Sequence, residues 1–95
     1  MAKKRDVKKD ITYLTYEIIA DGFAALELYP DRKPEEILSI IDDAVKNSND
    51  LMDRVNQKNI GDGKAVKKHF QKIYEDLIKG SDEQFSKLSK LITEK

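Results

Sequence analysis

Apolar side chains recur along this chain every three or four residues, the spacing of an amphipathic α-helix. Between Ile11 and Tyr29 they cover an unusual width. At about 100° per residue, Leu14, Ala25, Ile18, Ile11, Tyr29, Leu26, Ile19, Phe23 and Tyr16 span an arc of roughly 200°, against about 100 to 140° for an ordinary surface helix. Asp10, Glu17 and Asp21 occupy the narrow face that remains. Such a helix needs several neighbours. A single short chain has limited apolar surface to supply them, so part of the arc is expected to be covered internally and part by a second subunit.

The first helix is expected from about residue 6 to 29, opening at Asp6, where a carboxylate suits the positive end of the helix dipole. Gly22 costs about 1 kcal/mol relative to alanine inside a helix, which predicts a close helix crossing there. Pro30 ends the run. The short connection to Lys33 predicts an antiparallel return. Pro34 followed by Glu35 and Glu36 opens a second helix over 34–56, with Ile37, Ile41, Ala44, Ser48, Leu51 and Val55 in a heptad-like stripe. Asn47, Ser48 and Asn49 are weak helix formers and mark a softer stretch within it.

Asn56 to Gly63 is rich in turn residues, and Asp62 is the expected N-cap of a third helix over 63–79. Val66, Phe70, Ile73, Tyr74, Leu77 and Ile78 share its apolar face. Gly80 stands where a C-cap glycine belongs, and Ser81-Asp82-Glu83-Gln84 fits a capping box opening a fourth helix over 82–93. These signals allow a reversal or a kink, and a reversal is the expectation. The pattern therefore predicts one all-α domain over residues 1–95, a four-helix up-down-up-down bundle of two long and two shorter helices.

Composition narrows the class without naming a function. At 39% hydrophobic and 38% charged, the chain lies above the disorder range and suits a highly charged helical protein. There is no cysteine, which excludes disulfides and thiolate metal sites and makes the cytoplasm the expected compartment. Glu17, Asp21 and Glu27 interrupt the segment after the basic start, so neither a signal sequence nor a membrane span is expected.

The zero net charge hides an uneven distribution: residues 1–20 sum to +2, 21–53 to −6, 54–79 to +4 and 80–95 to zero. Such alternation suits oppositely charged helices lying side by side, and it argues against a uniformly basic nucleic-acid binder. It also offers little net repulsion against self-association.

Candidate chemistry is sparse. Asn59-Ile60-Gly61-Asp62-Gly63-Lys64 leads into a helix start but lacks the spacing and the metal-binding hydroxyl of a phosphate loop. Lys64, Lys67, Lys68 and Lys72, with a second basic run over residues 3–9, are the candidate contacts for an anion or nucleic acid, although the run over 3–9 has no aromatic and Phe70, within the other, belongs to the apolar face and not to a stacking surface. His69, with Lys72 three residues later, shares that spacing with phosphotransfer domains. Gln71 and Ile73 replace the leucine and glycine such domains place there, and a boundary histidine is the plainer reading. Adjacent carboxylates such as Glu35/Glu36 and Asp42/Asp43 diverge by about 100° around a helix, so no metal or other cofactor is expected. No nucleophile–histidine–carboxylate set can be assembled either, and an enzyme is not expected.

The stretches EIIADGFAALELYPDRKPEEILSIIDDAV (17–45) and KNIGDGKAVKKHFQKIYEDLIKGSD (58–82) resemble a family of short, uncharacterised bacterial helical proteins. That resemblance implies a small all-α chain and transfers no site residues. The leading expectation is a protein–protein interaction or structural module that self-associates, as a homodimer or with another protein, through the outer margin of the first helix. Tyr13, Tyr16, Ala20, Phe23 and Ala24 are its candidate contacts, since aromatics beside small residues suit a helix–helix interface. Anion or nucleic-acid binding through the lysine clusters is the first alternative, and phosphotransfer at His69 the second.

Overall fold

Pro30 closes one helix and Pro34 opens the next, so the chain reverses within five residues. In the computed structural model, which describes residues 4–93, α1 runs Lys4–Leu28, α2 Pro34–Val55 and α3 Gly63–Thr93. The Tyr29 N–H still donates to the Ala25 carbonyl at 2.8 Å, but Pro30 carries no N–H to extend the ladder. Lys33 then adopts a left-handed conformation (φ 45°) that aims its carbonyl into α2, where the N–H groups of Glu36 and Ile37 donate to it at 3.0 and 3.2 Å. The second connection ends as the sequence predicts, with Asp62 Oδ1 accepting from the Ala65 N–H at 3.0 Å.

The expected fourth helix is not a separate element. Residues 63–93 form one continuous helix, and among the described residues the bundle has three helices, not four. The reason is the phase of the apolar positions. Ile73, Leu77, Ser81, Phe85 and Leu88 follow one another at four, four, four and three residues, so the core stripe passes through Gly80-Ser81 without interruption. Ser81, read as a cap, is instead a buried stripe position. Gly80, read as a C-cap, lacks the positive φ such a cap requires and lies where α3 meets α2, a Cβ there approaching Asn47 Nδ2 at 2.8 Å.

Length explains why a straight helix wins. The α1–α2 hairpin carries two core clusters along its axis. One joins Val7 and Ile11 at the start of α1 to Leu51 and Val55 at the end of α2, with Ile73 and Leu77 of α3. The other joins Ile18 and Ala25 to Ile37, Ile40, Ile41 and Ala44, with Leu88 of α3 and Phe85 packed against it. Thirty-one residues at about 1.5 Å each give roughly 46 Å. That length covers both clusters of a body 51 Å long. A reversal after residue 79 would leave the second cluster without its third layer.

The three helices therefore run up, down and up, with α1 and α3 parallel. Each fully buried isoleucine or leucine in the clusters contributes about 1.5–3 kcal/mol. Of the expected core positions in α2 and α3, Ile78 is exposed, and Ser48, Val66, Phe70 and Tyr74 are half-buried.

Candidate functional site

The core stripe of α1 runs through Val7, Ile11, Leu14, Ile18 and Ala25, and it accounts for only one side of the wide apolar arc. Diametrically opposite, Lys9, Tyr13, Tyr16, Ala20, Phe23 and Glu27 are spaced four, three, four, three and four residues apart. This is a second heptad stripe, with a charged residue at each end and aromatic and small residues between. It faces away from the bundle: Tyr13 is 65% exposed, Tyr16 69% and Phe23 54%. Ala20 and Ala24 are exposed beside them. All five candidate contacts thus lie together on one uncovered face.

Among the described residues nothing covers these aromatic rings. Single exposed apolar residues are ordinary, whereas three rings aligned over about three helical turns form a contiguous apolar patch. Toward the N-terminal end the patch is bordered by Arg5, Lys8 and Thr12, which with Lys9, Tyr13 and Tyr16 line a shallow, almost wholly apolar depression formed by the lysine and arginine stems. Leu28, 71% exposed, extends apolar surface beyond the expected residues. It lines a groove with Ala24, Phe85, Leu88 and Ile92 between the C-terminal halves of α1 and α3. The four-residue step from Ala24 to Leu28 was the sequence signal for it. The α3 wall of that groove depends on α3 being continuous.

The lysine candidates are brought to one end of the bundle together with the start of α1, because α1 and α3 are parallel. Residue 3 lies outside the described residues. The basic clusters are nevertheless diluted by carboxylates. Asp76 accepts from Arg54 Nη1 at 2.8 Å and has Lys72 Nζ at 3.4 Å, and the Arg54 hydrogen bond, with that of Lys72, holds its carboxyl below the usual range. Lys72 is thereby paired within the chain. Asp62 occupies the N-terminus of α3, the position from which an anion would be bound by Lys64, Lys67 and Lys68.

His69 lies against the end of α2, its Nε2 2.6 Å from the Arg54 carbonyl. A carbonyl only accepts, so Nε2 carries the proton and donates to a carbonyl in the last turn of α2 that also accepts from the Gln57 N–H at 3.3 Å. The ring also meets Phe70 edge-on at 5.5 Å. Tyr74 donates to Asp10 at 2.8 Å, tying α3 to α1. Burial, reinforced by that carboxylate, pushes its phenol up to about 12.

Among the described residues, no group of three or more histidine, cysteine, aspartate or glutamate side chains is placed to hold a metal ion, and no helix is long and apolar enough to cross a membrane. No family model, characterised protein or solved structure matches this chain.

Proposed function

We propose that this chain is a helical protein–protein interaction module that self-associates through the outer face of α1. The observation that carries this reading is the stripe of Tyr13, Tyr16, Ala20 and Phe23, heptad-spaced, uncovered and opposite the core. Aromatic residues bury large areas at small conformational cost, and alanines between them let a partner backbone approach. The stripe extends beyond the needs of the fold, whose own core is completed by α2 and α3. The resemblance to short bacterial helical proteins and the lack of cysteine support placing the module in a bacterial cytoplasm.

Sedimentation equilibrium over micromolar to millimolar concentration tests the reading. The mass should rise with concentration toward a dimer in the native chain and stay monomeric in Phe23→Asp, with the helical content of the two unchanged. A native chain that is monomeric throughout overturns it.

A second reading draws on one observation, the meeting of two basic clusters at one end. It predicts binding to DNA that weakens steeply with salt and is lost when Lys64, Lys67 and Lys68 are neutralised. The carboxylates of Asp62 and Asp76 within those clusters make it the weaker of the two.

A further inference from the structure

We infer that the occupant of the α1 outer face is a second copy of this chain, packed antiparallel about a two-fold axis that crosses that face level with residue 18, between Tyr16 and Ala20. This rests on the reading of that face as an interaction surface and specifies what binds there and in which direction.

The stripe is self-complementary in that direction alone. Reversing α1 about its residue 18 sets Tyr13 against Phe23 of the second copy, Tyr16 against Ala20, and Lys9 against Glu27. Large meets small at the centre and opposite charges meet at both ends, the arrangement an isologous interface requires. A parallel pair would instead set Lys9 against Lys9 and Glu27 against Glu27, with the aromatic rings stacked in the same layers.

The distribution of charge along the whole body points the same way. Within α1 every base lies between Lys4 and Lys9, and every charge after Asp10 is negative: Glu17, Asp21 and Glu27. That polarity opposes the helix's own dipole, which favours acids at the start and bases at the end. The neighbouring helices reinforce it. The end of the bundle formed by residues 4–16 and 47–77 carries ten bases and seven acids, and the end formed by residues 17–46 and 78–93 carries six bases and ten acids. An antiparallel copy lays each basic end beside an acidic one; a parallel copy lays like beside like.

Charge reversal tests the direction. Lys9→Glu and Glu27→Lys should each weaken self-association by about tenfold, because each replaces two attractive pairs by two repulsive ones. Mixing the two variants, or combining both changes in one chain, should restore the native affinity. In a parallel pair neither single change removes an attraction, and the double variant gains nothing over either single one. Phe23→Asp is measured alongside. If both single variants associate like the native chain while Phe23→Asp is monomeric, the antiparallel register is overturned and the α1 face stands. If Phe23→Asp also associates like the native chain, or the native chain is monomeric, both are overturned. Because the chain has no cysteine, Lys9→Cys mixed with Glu27→Cys gives an independent check: crossed disulfide dimers are expected, and like-with-like dimers alone would contradict the register.

Discussion

A Cβ placed on Gly22 would lie 2.6 Å from Ile41 Cγ1 and 2.7 Å from its Cδ1, so the α1–α2 crossing is built on the missing side chain. This is the close approach that a glycine inside a long helix predicts. Gly22→Ala therefore sets helix propensity, worth about 1 kcal/mol in favour of alanine, against a clash with a buried branched side chain that has little room to move. The clash wins. Chemical denaturation should show a net loss of up to about 2 kcal/mol, the overpacking cost less the propensity gain. Ile41→Ala in the same chain should cost less than the sum of the two single changes, since it removes the atoms in conflict.

Gly80 gives the opposite result from a similar setting. The atom a Cβ would meet is Asn47 Nδ2, the far end of a polar side chain that can swing aside. As an interior residue of a continuous helix, Gly80→Ala should raise stability by up to about 1 kcal/mol, read as a higher melting temperature. Had glycine here been a left-handed C-cap, the same change would destabilise. The experiment therefore also tests the three-helix architecture.

These two glycines mark what the sequence reveals and what it conceals. The turn at Pro30 to Pro34, the Asp62 cap and the Gly22 crossing were legible because each rests on backbone chemistry confined to a few residues. The continuity of α3 was not, because Gly80 and Ser81-Asp82-Glu83-Gln84 imitate a helix end and a helix start. What overrides them is the unbroken phase from Ile73 to Leu88 and the length of the hairpin that α3 must cover, a property of the whole chain. The five contact candidates of α1 lie together on one exposed face because helical periodicity alone groups them. The pairing of His69 with the Arg54 carbonyl had no such signal, because it depends on how α3 sits against the end of α2.

Tyr74 should be visible in an ultraviolet titration of phenolate formation as a group ionising at about 12. Its folded value lies above the ordinary 10.0, so the neutral form is the one the fold favours. The stability it contributes is present in full below pH 10 and is lost as pH rises toward 12. Tyr74→Phe should abolish that step. Asp10→Asn should lower it only in part, because burial is the larger cause.

Asp76 acts at the other end of the pH scale. Its carboxyl is held below the usual value chiefly by the Arg54 hydrogen bond, so its contribution is present above the ordinary carboxylate range and is lost as pH falls through the depressed value. Both partners are partly solvated, which limits the pair to about 0.5–1 kcal/mol. Asp76→Asn should lower stability by that amount at neutral pH and make little difference at strongly acid pH, measured by denaturation at both.

The unmodified chain offers the most direct test of the central claim, that the outer face of α1 is where copies meet. Backbone amide and aromatic resonances recorded from micromolar to millimolar concentration report which residues enter an interface as it forms. The shifts should concentrate on Lys9, Tyr13, Tyr16, Ala20, Phe23 and Glu27 and saturate together with the rise in mass. Spectra that do not change with concentration, or shifts confined to another surface such as the Leu28, Phe85 and Ile92 groove, would contradict the account.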